Sequence, residues 1–367
     1  MRKLATLLTV FTLAVGGLRA DDQPGRAEQL KTMRADLAKA QAEFRKEMKA
    51  GTIKPDAEGE YPGWTDLLKR FVKPTRPVIE ADPADAVGFA ALHFALTELG
   101  ATDADLFGLV LKHHIANAKI EPLLNLDAAP VDFLRDVAAK SPHGRVRLWA
   151  RYHQAQQLVA GGKPKEAETL LEALSGEAEA KKVSGYNTGT LADTSGRLLF
   201  EIRNLNVGQE APEIKGPNLD GKPMALSESR GRVTMLVFWA TWCRPCMDMV
   251  PHERELVERY AGRPFALIGA NGDKLTVGLP KLYYQDGRLI DDGPVVQAAV
   301  EKNKMTWPSF RNARSDGSPF LAWNVQSWPT IYLLDERGVI RGKWKGDPGV
   351  KELDAAVEKL VKAAEAK

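Results

Sequence analysis

The chain has only two cysteines among its 367 residues, and they lie three positions apart, at Cys243 and Cys246. A chain this poor in thiols cannot be a multi-disulfide scaffold, and it lacks the second cysteine pair of a four-cysteine zinc site. A static disulfide is the alternative, but closing so short a loop adds little stability. We therefore predict a redox-active pair and no metal site.

An excess of charge of one sign is also lacking, since 51 basic side chains face 48 acidic ones and the net charge is +3. This balance gives no reason to expect nucleic acid or an anionic membrane surface as a partner. The sequence contains no phosphate-binding loop, no His-Glu-x-x-His pair and no serine elbow, and we expect no bound cofactor. The adjacent His113 and His114 would point to different helix faces and make a poor metal pair.

A long apolar run is lacking as well. The nearest candidate is the N-terminus, where Arg2 and Lys3 precede an apolar stretch at residues 4–15 and Ala20 is the predicted cleavage residue. This run is shorter than the roughly 20 apolar residues of a spanning helix. We interpret residues 1–20 as an export signal, with an uncleaved anchor as the alternative. The protein would then be periplasmic or otherwise extracytoplasmic, and would touch the membrane only if the signal is retained.

Helical periodicity dominates residues 21–205, which we expect to form an all-α domain. Apolar residues at spacings of three and four predict a long first helix over 26–50, while scattered glycine and proline predict a loop over 51–82. The best-defined piece, Trp149–Leu171, has the spacing of a tetratricopeptide-like hairpin, and a nonspecific bundle is the alternative. Other helices are predicted near 84–99, 103–117, 130–139, 145–160 and 164–180.

Beyond a junction at 204–209, strands alternate with helices, which is typical of an α/β domain over residues 208–367. The predicted elements are a hairpin over 211–227, strands at 232–239 and 264–270, a helix at 294–303, a hairpin from Thr330–Leu334 to Val339–Trp344, and a closing helix over 351–364.

The stretch from Phe238 to Cys246, with Trp239 and Trp242 inside it, resembles the active-site segment of the thioredoxin superfamily. Within that superfamily it is most similar to the exported TlpA/ResA-like thiol-disulfide oxidoreductases. Trp328-Pro329-Thr330 is a second landmark. The resemblance covers about 208–367 and implies a thioredoxin-like α/β fold, with Pro329 in the cis form beside a Cys243–Cys246 disulfide. It also implies protein thiols or disulfides as partners and recharging by a membrane electron carrier.

The two cysteines have unequal predicted roles. A strand-to-helix turn would place Cys243 in the first turn of a helix, where free N–H groups and the helix dipole favour a thiolate nucleophile. Cys246 would be the resolving thiol, and Pro245 is tolerated in a first turn because its missing N–H has no partner there. Arg244 would stabilise the thiolate and make the pair more oxidising, with a solvated arginine as the alternative.

Five residues are predicted to bind substrate: Trp242, Arg244, Pro245, Trp328 and Thr330. A cis-proline leaves the preceding backbone free to pair with an extended peptide, and two indoles beside it would form an apolar rim. The alternative is that Trp328 packs inward.

Other positions carry weaker expectations. Val237 stands where cytoplasmic thioredoxin has a buried aspartate, so no carboxylate at that site can relay a proton to Cys246. Glu253 or Asp248 could substitute for it, but we expect both to be exposed helix residues. Trp307 and Trp323 are assigned to the core. The stretch 271–294, which includes Tyr283-Tyr284 and Asp291-Asp292, is longer than the corresponding thioredoxin connection and is predicted to be a surface loop.

The sequence thus predicts a thiol-disulfide oxidoreductase that exchanges its dithiol with proteins through a mixed disulfide. One alternative is a thiol peroxidase of the same fold, although Leu236 and Ala240 occupy the proline and threonine positions of the peroxiredoxin pattern. Another is a non-enzymatic redox sensor whose helical domain binds a partner. The resemblance favours a reductant and Arg244 an oxidant, so the direction stays open.

Overall fold

The computed structural model describes residues 25–54, 61–185, 189–273, 284–285, 288–289, 293–312 and 318–366. These residues form two compact units, one that reaches to Phe133 and one that begins at Leu134. The predicted export signal lies outside them. No helix in the described ranges combines the length and apolar character that crossing a membrane requires.

The N-terminal unit is helical. Its elements are α1 (Arg26–Lys49), α2 (Trp64–Ala81), α3 (Ala86–His93) continued by a π-helical turn (Phe94–Glu98), α4 (Ala104–His114), a 3-10 turn (Ala118–Ile120) and α5 (Glu121–Leu124). Helix α1 buries the residues whose spacing predicted it, namely Leu30, Met33, Leu37 and Phe44. The Arg26 guanidinium at its start donates to the Val78 carbonyl and pairs with Asp85 at 2.8 Å.

Helix α2 corrects the prediction of a loop over 51–82. It contains Pro74 and Pro77 and buries Leu67, Val78 and Ile79. Each proline removes one helical hydrogen bond, which is why the pattern favoured a loop. Helices in proteins are stabilised mainly by packing of an apolar face, and here that packing outweighs the two lost bonds.

Four further helices open the second part of the chain: α6 (Val131–Lys140), α7 (Gly144–Ala160), α8 (Pro164–Gly176) and α9 (Leu191–Asn204). Helices α7 and α8 form the predicted hairpin, whose turn has Gly162 at φ 75° and a bond from the Lys163 N–H to the Leu158 carbonyl. A left-handed residue at this point suits glycine, because it has no Cβ.

The C-terminal part contains the strands β1 (Lys215–Pro217), β2 (Pro223–Ala225), β3 (Val233–Trp239), β4 (Phe265–Asn271), β5 (Tyr284–Gln285), β6 (Arg288–Leu289), β7 (Ser309–Phe310), β8 (Thr330–Leu334) and β9 (Ile340–Lys345). Its helices are α10 (Arg244–Arg259), α11 (Gly293–Asn303), α12 (Pro319–Ala322) and α13 (Val350–Glu365), with a 3-10 turn at Leu226–Ser229. Most of the predicted insertion over 271–294, including Tyr283 and the Asp291-Asp292 pair, lies outside the described residues.

The central sheet has the strand order β7-β4-β3-β8-β9. Strands β4 and β7 run parallel to β3, whereas β8 and β9 continue the sheet antiparallel. Every residue of β3 is buried, because alternate side chains enter two different cores. Met235 and Trp239 pack with α10 and α13, and Leu236 and Phe238 pack with α12. This confirms the predicted thioredoxin-like fold and the mainly helical region before it.

A group of four side chains, called here the Glu201 cluster, joins α9 to the sheet. The Glu201 carboxylate lies 2.7 Å from Lys343 Nζ and 3.1 Å from Lys345 Nζ, and Asn324 Nδ2 donates to it at 2.5 Å. Contacts thus group α9 with the sheet. A compact unit is not the same as an independently folding domain, so the limits 21–205 and 208–367 stay a prediction.

The segment after α9 runs beside the edge strand β9. The Gly208 N–H donates to the Ile340 carbonyl, the Ile340 N–H donates to the Gln209 carbonyl, and the Ala211 N–H donates to the Gly338 carbonyl. The predicted junction is therefore hydrogen-bonded to the sheet.

Candidate functional site

The two cysteines form a disulfide where β3 gives way to α10, with an S–S distance of 2.01 Å. Cys243 is the residue that caps α10, and its Sγ accepts a hydrogen bond from the Cys246 N–H at 3.1 Å. Pro245 stands in the first turn, where its missing N–H leaves no bond unmade. A sulfur at this position faces the free N–H groups of a helix start, which stabilise negative charge.

Both cysteine residues are nearly buried in the disulfide form. Cys243 is 4% exposed and Cys246 is 2% exposed. Pro245 and Arg244 between them are exposed. The Arg244 guanidinium extends into solvent and pairs with Asp248 one helical turn on, at 3.5 Å. Water screens such an exposed charge, so its pull on a Cys243 thiolate is small.

The Trp328–Pro329 peptide bond is cis. The Pro329 carbonyl accepts a hydrogen bond from the Gly346 N–H at 2.7 Å, just after β9. Thr330 begins β8 and pairs with Phe238 of β3, and its buried hydroxyl donates to the Ser327 carbonyl. The fold thus holds the loop that contains Trp328 and Pro329 beside the carboxyl end of β3. From that end the chain enters residues 240–243, called here the disulfide turn.

An aromatic group borders the disulfide turn. The rings of Trp242 and Trp328 meet edge to face at 5.2 Å, and Trp328 also contacts Phe320 at 4.8 Å. Trp328 lies over the backbone of Gly272, where an added Cβ would come within 2.2 Å of the indole. Trp242 and Trp328 are both half-buried, so each packs partly inward and stays partly exposed. Trp307 and Trp323 are buried in the core.

Glu253 corrects one expectation. It was expected to be exposed, but it is 97% buried on the face of α10 that also buries Cys246, Met249 and Val250. These residues recur at three- and four-residue spacing, which places them on one face. Burial, assisted by repulsion from Asp347, raises the pKa of Glu253 to about 8. Asp248 is exposed, as expected.

Asp273 is the site residue that sequence reasoning missed. It is fully buried two residues after β4, and its carboxylate accepts hydrogen bonds from the residue that leads into Trp242 and Cys243. The sequence could have indicated Asp273, because polar side chains just after one parallel strand lie beside the loop that follows the neighbouring strand. Here the two strands are β4 and β3. Over the described part of the chain, no three histidine, cysteine or acidic side chains converge as a metal site would require.

Comparison with known proteins bears on the same region. Residues 207–343 match the AhpC/TSA family. "Thioredoxin-like protein YneN" of Bacillus subtilis (strain 168) is 29% identical over 174 residues, which cover 47% of this chain and 90% of the relative. "Thiol-disulfide oxidoreductase ResA" of Bacillus thuringiensis subsp. konkukian (strain 97-27) is 25% identical over 156 residues, covering 42% of this chain and 79% of the relative.

Among solved structures, the putative thiol:disulfide interchange protein DsbE from Chlorobium tepidum is 23% identical with a TM-score of 0.34, covering 43% of this chain and 97% of that one. The sheet topology, the disulfide and the sequence relatives together identify the C-terminal region as an AhpC/TSA, thioredoxin-like domain with a thiol-disulfide oxidoreductase centre.

Proposed function

We propose that this thiol-disulfide oxidoreductase exchanges electrons with extracytoplasmic proteins through a mixed disulfide formed by Cys243. The observation that carries the proposal is the disulfide between Cys243 and Cys246 at the start of α10, beside a cis-proline loop. Cys243 caps the helix and its Sγ accepts an N–H bond, which favours it as the attacking thiolate.

The exchange balances in two steps. As a reductant, the Cys243 thiolate attacks one sulfur of a substrate disulfide, the substrate S–S bond breaks, and the other substrate sulfur leaves as a thiolate. The Cys246 thiolate then attacks Cys243 Sγ, which closes the Cys243–Cys246 bond and releases the second substrate thiolate. Two electrons pass to the substrate, and its thiolates take protons from water. The reverse sequence oxidises a substrate dithiol.

A trapping experiment tests the mechanism. Without the resolving thiol, Cys246→Ala should accumulate mixed disulfides with proteins that dithiothreitol releases, while Cys243→Ala, the matched control, should accumulate far fewer. If Cys246→Ala traps nothing although its Cys243 is readily alkylated, the exchange mechanism is wrong. Consumption of hydrogen peroxide at a rate that exceeds disulfide exchange would instead favour the peroxidase alternative.

We place the substrate beside Trp242, Pro245 and the Trp328–Pro329 loop. The half-buried Trp242 and Trp328 and the exposed Pro245 give an apolar border, and Arg244 adds a cation at its rim. The Thr330 hydroxyl is buried and already donates to the Ser327 carbonyl. We therefore assign this side chain to supporting the loop and not to contacting substrate. Trp328→Ala should raise KM for a peptide disulfide about tenfold or more, since truncating a buried interface tryptophan costs at least about 1.4 kcal/mol.

The location and direction of exchange are part of the proposal. The basic-then-apolar residues 1–20 support export, and fusion of those residues to a reporter active only outside the cytoplasm tests it. A membrane electron carrier would recharge a reductant. A reduction potential above about −180 mV would favour an oxidant, and a value well below it a reductant.

A further inference from the structure

Asp273 lies where the chain leaves β4 and the neighbouring strand β3 gives way to the disulfide turn. Trp239 and Asn271 are the last paired residues of the two strands, and the Gly272 N–H still donates to the Trp239 carbonyl at 2.8 Å. The pairing thus continues past the strand ends. It brings Asp273 alongside Thr241, two residues before Cys243.

The Asp273 carboxylate holds this turn by several bonds at once. It accepts the Thr241 N–H at 2.9 Å and the Thr241 hydroxyl, and it accepts Asn271 Nδ2 at 2.6 Å. The Asp273 N–H donates to Asn271 Oδ1 at 3.2 Å. Hydrogen bonds to a buried carboxyl group keep their geometry because no water competes for them.

Opening the disulfide changes what holds the turn. In the oxidised form the S–S bond adds a second covalent link between Cys243 and α10, besides the peptide chain. In the reduced form that link is absent. The backbone at Cys243 is then held by its own bonds, to the Ala240 carbonyl and from the Met247 N–H, and by the contacts of residues 240–242. The Thr241–Asp273 bonds involve neither sulfur, so they can act in both forms.

We propose that Asp273 is a positioning residue that holds the Thr241–Cys243 turn in place in the reduced protein, so that Cys243 and Cys246 stay close enough to re-form their bond. The inference rests on the proposed function and adds a residue to its site. A thiol pair held in place has a high effective concentration, which favours the disulfide at equilibrium. Without the carboxylate, the turn moves more freely when reduced and the disulfide becomes less favoured.

The test is the equilibrium of the full chain with reduced and oxidised glutathione. Asp273→Ala should lower the equilibrium constant for forming the disulfide about tenfold, equivalent to a rise of about 30 mV in potential for a two-electron couple. Thr241→Val removes only the hydroxyl contact and should lower it about threefold, and Thr241→Ser, which keeps the hydroxyl, should restore it.

Asp335 is the matched control. It is a buried carboxylate next to Leu334, at the opposite end of the same sheet, where it accepts the Arg337 and Val339 N–H groups and pairs with Arg341. Asp335→Ala should reduce stability and leave the glutathione equilibrium constant within twofold of the wild-type value. An effect of equal size in both variants would overturn the proposal, because it would then be general loosening of the fold.

An unchanged constant in folded Asp273→Ala would also overturn the proposal. If Asp273→Ala does not fold, an unchanged constant in Thr241→Val would do so. The glutathione equilibrium reports only on the Cys243–Cys246 pair. Asp273→Ala can therefore leave this equilibrium unchanged while Cys246→Ala still traps proteins, so the two proposals are tested separately.

Discussion

Two regions of the C-terminal unit each bury a glutamate, and they treat it in opposite ways. At the junction of α9 with the sheet, Glu201 is surrounded by two lysines and an asparagine that donates to it. On the disulfide helix α10, no hydrogen bond to the Glu253 carboxyl is found among the described residues, and the charge acting on it is that of Asp347.

The two environments move the pKa in opposite directions. Burial alone raises the pKa of Glu201, but Lys343 and Lys345 outweigh it and bring the pKa below its ordinary value. Burial raises the pKa of Glu253, with Asp347 acting the same way. Burial alone therefore does not decide the charge of these carboxyl groups; the cations beside them do. Glu201 is buried as an ion and Glu253 as an acid.

The largest expected effect is a pH dependence caused by Glu253. Its folded pKa is about 8 and its unfolded pKa about 4.5, so the folded state favours the protonated form. The free energy of unfolding should therefore fall as pH rises from about 4.5 through about 8. The total loss should approach 5 kcal/mol, at about 1.4 kcal/mol for each pKa unit. Denaturant unfolding at pH 5, 6.5 and 8 should show about 3.5 kcal/mol of this loss, the part that falls between pH 5 and pH 8.

Glu253→Gln should remove most of this slope, because glutamine has the same shape and no titrating proton. Glu255→Gln, an exposed neighbour on the same helix, is the control and should keep it. Equal slopes in wild type and Glu253→Gln would show that Glu253 is not buried as an acid.

The next effect concerns the Glu201 cluster. Glu201→Ala leaves the half-buried Lys343 ammonium without its partner and should lower the free energy of unfolding by roughly 3–5 kcal/mol. The exposed Glu210, which pairs with Arg230 at 2.8 Å, is the control, and Glu210→Ala should cost under about 1 kcal/mol. Comparable losses of unfolding free energy in Glu201→Ala and Glu210→Ala would show that burial of the Glu201 ion pair does not make it more important than an exposed pair.

A smaller difference is expected between the two lysines. The Lys343 side chain is 16% exposed and that of Lys345 is 54% exposed. Lys343→Ala should cost about 2 kcal/mol and Lys345→Ala under about 1 kcal/mol, since solvent screens the outer pair. Equal losses in urea unfolding would indicate that the cation nearer to solvent matters as much as the covered one.

The smallest effect is expected at Asn324, which has a positive φ of 48°. Glycine adopts this conformation without strain, so Asn324→Gly keeps the backbone and removes two side-chain bonds, the one to Glu201 and the one that Asn324 Oδ1 accepts from Gln326 Nε2. The expected loss is about 1 kcal/mol, because relief of backbone strain offsets part of the net value of the two hydrogen bonds. A gain in melting temperature would show that backbone strain outweighs both bonds.

Local patterns made much of the C-terminal fold predictable. The apolar run of β3, the Cys243–Cys246 spacing and the final hairpin are each encoded within a few residues. Helix α2 was missed because Pro74 and Pro77 dominate a local reading, whereas its stability comes from packing. The Glu201 cluster joins side chains 142 residues apart, and nothing local indicates that pairing. Glu253 was missed because its surroundings, rather than its neighbours in sequence, cover it.

The segment that follows α9 has a practical consequence for dividing this protein. Strand β9 is an edge strand, and residues Gly208–Ala211 occupy hydrogen-bonding groups at its start. A truncated chain that begins after these residues would leave those groups open to another molecule, which is how exposed strand edges promote aggregation. Residues 208–211 therefore also cover part of the exposed edge of the sheet, and a soluble C-terminal fragment should retain them.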